Sequence, residues 1–219
     1  MVRSRLAVVI PCHNEATTIG IVVRGAARHA DVIVVDDRST DPSSTIAKQE
    51  GARVISSAAP GYDGALTTGL RYAFDVGYEG IVTIDADGEH DPALVSAFGQ
   101  AVSAGANLVC GIRVRPQRVA EFVVAAMGGA LFGIADPLCG MKGYSRAVLQ
   151  AWFDTASPLM LNMAPAILWR RSGNDFVQIA VTGQVRQDVP RFGRALLANA
   201  TILRTFAALL VTAARGTRV

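Results

Sequence analysis

Apolar residues along this chain come in short runs, each cut off by a polar or glycine-containing loop. Leu6 to Ile10 is a compact run ending at Pro11, so it reads as a first strand that breaks into the loop Pro11-Cys12-His13-Asn14-Glu15. Thr17 or Thr18 can cap a helix from Ile19 to about His29. Val32 to Val35 predicts a second strand, followed at once by Asp36-Asp37-Arg38-Ser39-Thr40-Asp41-Pro42. A helix from about Ser44 to Glu50 ends at Gly51, and Val54 and Ile55 make a short third strand. This alternation predicts an α/β fold with a parallel, doubly wound sheet, whose ligands lie beyond the carboxyl ends of the strands.

The same reading continues down the chain. PGYDGALTTGLRY, residues 60–72, brings Gly61, Gly64 and Gly69 to the start of a helix that runs to about Val76, an arrangement that lets backbone approach a phosphate. Ile81 to Ile84 reads as a buried strand, and Pro92 opens a helix to about Ser103. Asn107 to Cys110 is another strand opening on Gly111-Ile112-Arg113, and Val119 to Phe132 is a helix. DPLCGMKGYSR, residues 136–146, reads as a loop returning to the active edge. Pro158 and Pro165 break the next segment, helix resumes over Ala166 to Arg171, and Phe176 to Val181 alternates like a strand. Residues 1–194 are expected to form the catalytic-size domain and residues 195–219 an amphipathic helical tail, which packs on the domain or a partner or lies on a membrane surface.

Three predicted strands are followed by acidic loops: Glu15 after the first, Asp36 and Asp37 after the second, and Asp85, Asp87, Glu89 and Asp91 after the strand ending at Ile84. Carboxylates that close repel one another, and burying them unpaired costs several kcal/mol each, so a cation should offset them. Magnesium or manganese suits hard oxygen ligands and is often held by one or two carboxylates plus substrate phosphates. The alternative is a solvated acidic turn, and Asp91 before Pro92 reads as a helix cap, as does Asp41 before Pro42. Asp36 can equally orient its loop through backbone N–H groups, which leaves Asp37 as the ligand candidate. Asp136 is either a catalytic base or a helix-terminal structural acid.

The net charge of +3 conceals an asymmetry: residues 1–91 carry a net −5 and residues 92–219 a net +8. Arg113, Arg115 and Arg118 form one basic cluster and Arg186, Arg191 and Arg194 another, suited to a pyrophosphate, a phospholipid surface or a phosphorylated lipid. No basic stripe interleaved with aromatics accompanies them, which argues against nucleic acid. Cys12, Cys110 and Cys139 lack metal or redox spacing, so a reducing cytosol is expected. The apolar stretches are too short for a signal peptide or a membrane span, leaving a peripheral protein at most. No serine sits in a nucleophile elbow, which argues against covalent hydrolases.

Taken together and in this order, VVIPCHNE, VVDDRSTD, PGYDGALTTGL, IDADGEHDP and DPLCGMKGY resemble the family 2 glycosyltransferases, especially the branch similar to dolichyl-phosphate mannose synthases and polyprenyl-phosphate glycosyltransferases. The resemblance implies the GT-A type nucleotide-diphospho-sugar transferase fold. It implies that Pro11, Asn14, Glu15, Asp37, Gly64 and Asp85 line the nucleotide, and that Asp85 and Asp87, with Glu89 beside them, hold Mg2+ or Mn2+. Asp87 and Asp136 then carry catalysis, Asp136 standing near the acceptor. The family's glycine-rich loop often carries Lys, whereas Tyr62-Asp63 stand here, so Arg71, Arg113 or Arg191 would have to supply the phosphate contact. The implied partners are a nucleoside-diphosphate sugar and a lipid-phosphate or saccharide acceptor, with a membrane surface and a second copy of the chain as further candidates. A nucleotidyltransferase and a non-catalytic nucleotide-sugar-binding scaffold are the competing readings.

Overall fold

A computed structural model describes residues 6–113, 119–154, 163–182 and 195–214. The clusters Arg115/Arg118 and Arg186/Arg191/Arg194, and with them the phosphate contact expected of Arg191, lie outside the described residues.

The parallel part of the sheet follows the predicted order. The strands β1 (Leu6–Cys12), β2 (Asp31–Asp36), β3 (Arg53–Ser56) and β4 (Gly80–Thr83) alternate with the helices α1 (Ile19–Ala26), α2 (Ser43–Gln49) and α3 (Tyr62–Val76). Then come α4 (Leu94–Ser103), β5 (Leu108–Arg113), α5 (Val119–Phe132), β6 (Lys142–Ser145), α6 (Arg146–Asp154), α7 (Ala164–Arg171), β7 (Val177–Val181) and α8 (Ala195–Ala214). One seven-stranded sheet has the order β3-β2-β1-β4-β6-β5-β7, parallel except for β6. Strand periodicity sorts the core. Ala7 and Val9 face the side covered by α3 and α5 to α8, while Val8 and Ile10 face α1, α2 and α4.

Pro11 does not end β1; it lies in the strand opposite Val35. Pairing with β4 stops at Val9 and Thr83, and the Val9 carbonyl takes the Ile84 N–H at 3.2 Å. Pro11, two residues on, faces that same side beyond the ladder, so its missing N–H costs nothing. Gly69 lets α3 settle on the sheet, since a Cβ there would stand 2.4 Å from Val9 and 2.8 Å from Val35.

The largest departure lies at residues 142–145. The expected loop contains β6, which runs antiparallel between β4 and β5, with Lys142 opposite both Thr83 and Cys110. KGYS has no apolar run to mark it as a strand, although Tyr144 is fully buried. The helix α6 was likewise not expected; Val148, Leu149 and Trp152 bury one face of it. The tail helix α8 packs on α5 and α7, and Phe206 and Leu209 are 2% and 3% exposed within the core shared with α3.

Candidate functional site

Parallel strands send their following loops to one edge, and the antiparallel sense of β6 brings its preceding loop to that same edge. Residues 136–141 thereby lie beside the segment that follows β4.

The loop after β1 is stapled to the loop after β2. Asn14 takes a left-handed φ of 54°, and its Oδ1 accepts the Thr40 N–H at 2.7 Å while its own N–H donates to Ser39 Oγ at 3.0 Å. Arg38 also has positive φ, 58°. Two non-glycine residues in this region on adjoining loops indicate strain held by the surrounding bonds. Glu15 is buried, with its N–H on Ser43 Oγ at 2.7 Å. Asp41 accepts from the Ser43 N–H and hydroxyl and from the Ala16 N–H, a local turn one residue ahead of Pro42, the N-cap of α2, rather than the cap expected of it. Asp36 accepts the Ser39 N–H at 3.2 Å, so it shapes its loop.

Asp37 points inward along the edge. One oxygen accepts Arg38 at 2.7 Å and the other the Gly61 N–H at 2.7 Å, while its carbonyl faces His13 Nδ1 at 2.6 Å. The next residue, Tyr62, donates its hydroxyl to Asp85 Oδ1 at 2.9 Å. Consecutive residues thus contact Asp37 and Asp85 and tie the loop after β2 to the segment after β4 through the head of α3. Tyr62 itself remains 37% exposed.

Asp85 is gripped from its other side as well. His90, only 1% exposed, places Nδ1 3.7 Å from Asp85 Oδ2 and Nε2 3.8 Å from Cys139 Sγ, and Nδ1 makes no hydrogen bond among the described residues. A Cβ on Gly140 would fall 2.0 Å from Asp85 Oδ2, so only glycine permits that approach. Thr83 fixes it by donating to the Gly140 carbonyl at 2.8 Å, and fully buried Lys142 donates to the carbonyls of Pro137, at 3.1 Å, and Cys139. Burial drives the Cys139 thiol up to about 12, too high for a nucleophile despite its imidazole neighbour.

Asp85, Asp87 and Glu89 do not close into a three-carboxylate centre. Alternate residues share a side only in an extended strand, whereas β4 ends at Thr83 and the chain turns at Gly88, φ 75°. Among the described residues no three His, Cys, Asp or Glu side chains gather to hold a metal. Asp85 and Asp87 nonetheless offer hard oxygens on the edge, and His90 Nδ1 lies 3.7 Å from the first. Burial raises the Glu89 carboxyl's pKa, Asp87 and Asp85 adding to the effect while His90 and Arg113 oppose it. The donor set fits a cation held by one or two carboxylates and completed by phosphate oxygens, not a protein-only cage.

Two of the arginines expected at phosphate are engaged elsewhere. Arg71 stacks its guanidinium 3.7 Å over the Phe153 ring, more than two turns along α3 from the edge. Arg113 carries its fork to Asp136, Nε to Oδ2 at 2.7 Å and one terminal nitrogen to Oδ1 at 3.0 Å, and lies 3.4 Å from Glu121. Burial alone would lower the Arg113 pKa, but these two carboxylates raise it overall. Gly64 has a packing reason for being glycine, since a Cβ would meet the Ala59 carbonyl oxygen at 2.3 Å. Pro11 is buried in β1. Tyr62, His90, Gly140 and Lys142 were not among the expected site residues, although the sequence places Tyr62 in the glycine-rich stretch, His90 in the acidic loop after Ile84, and Gly140 and Lys142 in the segment expected to return to the active edge.

Comparison with known proteins agrees with this geometry. The family model for Glycosyl transferase family 2 matches residues 7–153. The undecaprenyl-phosphate mannosyltransferase of Micrococcus luteus is 33% identical over 121 residues, covering 51% of this chain and 49% of that protein. The polyprenol monophosphomannose synthase of Mycolicibacterium smegmatis is 29% identical over 171 residues, covering 67% and 63%. The chain spans about half the length of the curated relatives it matches, such as glycosyltransferases of Mycobacterium tuberculosis 33% identical over 113 residues and aligned over 50% of their length. Glucosyl-3-phosphoglycerate synthase of Mycobacterium tuberculosis, solved with Mn2+, UDP-glucose and phosphoglyceric acid, superposes with a TM-score of 0.75 at 24% identity, covering 96% of this chain and 80% of that one. That likeness establishes the GT-A fold.

Proposed function

The chain belongs to glycosyl transferase family 2, and we propose on that premise that it transfers a sugar, with inversion, from a GDP- or UDP-sugar to a polyprenyl-phosphate-type lipid. The observation that carries the donor half is the contact of consecutive residues, Gly61 and Tyr62, with Asp37 and Asp85. Two carboxylates so linked suit the two ends of one nucleotide: Asp37 takes hydrogen bonds from the base, and Asp85 and Asp87 hold Mg2+ or Mn2+ at the diphosphate. Pro11, near the end of β1, and Asn14 and Glu15, in the loop that follows it, shape the wall between them. Such an ion, when bound, neutralises charge developing on the departing nucleoside diphosphate.

The acceptor oxygen attacks the anomeric carbon from the face opposite the leaving group. Asp136 bears on which acceptor this is. A sugar hydroxyl requires a base to take its proton, whereas a phosphate monoester is already ionised near neutral pH. Both oxygens of Asp136 accept from Arg113, which makes it a poor free base and favours the phosphate. The names of the Micrococcus luteus and Mycolicibacterium smegmatis relatives point the same way. Among the described residues no helix is long and apolar enough to cross a membrane. The lipid phosphate would then be met at the membrane surface, on the cytoplasmic side.

The test is donor turnover with Mn2+ or Mg2+, a panel of UDP- and GDP-sugars, and polyprenyl phosphate in detergent, with Asp87→Ala as control. Nucleoside diphosphate release that needs the lipid, stops on chelation and is absent in the control supports the proposal. Release onto saccharides alone replaces the acceptor, and donor binding without release on any acceptor makes the protein a nucleotide-sugar-binding scaffold.

A further inference from the structure

Tyr62 occupies an unusual place for an aromatic residue. Gly61, with φ 86°, turns the chain into α3 so that its own N–H meets Asp37 and the following hydroxyl meets Asp85. The segment leading to it is anchored independently of either carboxylate. The Ser57 N–H donates to the Asp36 carbonyl at 2.9 Å, the Ala58 N–H donates to Thr68 Oγ1 at 3.0 Å, and the backbone of Ala59 lies against Gly64. Residues 57–61 therefore stay with the head of α3, and the Tyr62 side chain reaches from that fixed base to Asp85.

A hydrogen bond from a phenol to a carboxylate is charge-assisted and stronger than a neutral one. The carboxylate oxygen that accepts it presents a positive hydroxyl hydrogen to anything else approaching from that direction, a cation above all. The other oxygen, Oδ2, is confined by Gly140 and faces His90, so Asp85 has little freedom to turn a different oxygen outward.

We propose that Tyr62 is a latch on the donor site: its hydroxyl holds Asp85 Oδ1 and has to be displaced before a nucleotide–metal complex can use that oxygen. The inference rests on the donor reading given above. It makes Tyr62 a residue that sets how tightly the donor binds, lowering affinity for any nucleoside diphosphate whose cation reaches Asp85.

The test uses the full chain and, as probes, Mn2+ with UDP and Mn2+ with GDP, titrated by calorimetry and followed by the Mn2+ spin-resonance signal. Tyr62→Phe removes one oxygen and keeps the ring, so folding is preserved; thermal unfolding of the same samples checks this. The variant is expected to bind whichever nucleotide the wild type binds about tenfold more tightly, the loss of one charge-assisted hydrogen bond that binding must otherwise break. In an Asp85→Asn background the gain should shrink toward nothing, because the latch acts only through that carboxylate. Equal or weaker binding by Tyr62→Phe, or a gain that survives Asp85→Asn, overturns the latch while leaving the donor reading intact. If neither wild type nor Tyr62→Phe binds either nucleotide, the donor reading itself fails and the latch with it.

Discussion

Arg113 and Asp136 close a two-pronged ion pair across the edge of the sheet, at 2.7 and 3.0 Å, and the Arg113 backbone N–H adds a third contact at 3.2 Å. Asp136 is only 8% exposed, and Glu121, 6% exposed, stands on the far side of the guanidinium. A buried guanidinium between two carboxylates is an electrostatic unit whose members depend on one another.

Asp136→Ala is therefore expected to cost about 3–5 kcal/mol of stability, because it leaves a buried charge with only half its compensation. Asp136→Asn should cost less, since the amide oxygen still accepts one hydrogen bond. Urea unfolding of both variants measures this. A loss of turnover in Asp136→Asn with unchanged stability would instead make Asp136 a working base and reopen the saccharide acceptor.

Gly140→Ala tests the close approach to Asp85. The added methyl would stand 2.0 Å from Oδ2 and 2.6 Å from Oδ1, so the carboxylate must move. Loss of Mn2+–nucleotide binding by more than about tenfold is expected, the 1.4 kcal/mol equivalent of a displaced ligand, with the fold retained. Gly69→Ala should do the reverse, costing about 1–3 kcal/mol by overpacking α3 against Val9 and Val35. Calorimetry and urea unfolding, run on both variants, separate the two effects.

Lys142 gives the protein an alkaline signature. Burial lowers its pKa from the ordinary 10.5, so the folded protein releases the proton at a lower pH than the unfolded chain does. Between the folded value and 10.5 the unfolded state binds more protons, and the unfolding free energy rises with pH through that window. Below the folded value the cost of burying the ammonium is present in full. Lys142→Met removes this dependence. The stability of the wild type minus that of the variant should grow as pH rises toward 10.5, as read by urea titrations across the alkaline range; a constant difference would contradict the assignment.

Phe206→Ala probes whether α8 belongs to the domain. Its ring is buried in the same core as Leu66 and Trp169, so a loss of about 3–5 kcal/mol is expected, with a single unfolding transition. A loss below about 1 kcal/mol would mark α8 as an appendage.

The acidic loops were legible because strand runs and the loops that end them are local signals. Asp37 and Asp85 follow predicted strands, and parallel strands send such loops to one edge whatever the rest of the chain does. The turns at Asp41 and Asp91 were also local, each acid bonding a backbone N–H two residues on, just ahead of the helix rather than as its cap. The contacts that Arg71 and Arg113 make were not. Their partners, Phe153 and Asp136, lie 82 and 23 residues away, and no spacing rule connects them.

The sequence by itself determined the alternation of strands and helices, the edge at which the carboxylates assemble and the family to which the chain belongs. These follow from hydrophobic periodicity and from short motifs read within a few residues. Only the tertiary structure decided that residues 142–145 enter the sheet antiparallel, and much of the site depends on that step. Antiparallel entry sets Gly140 against Asp85, buries Lys142 under the carbonyls of its own loop and brings Asp136 to Arg113. The segment KGYS carries no strand signal of its own, because its pairing is dictated by the open ladders of β4 and β5 on either side of it.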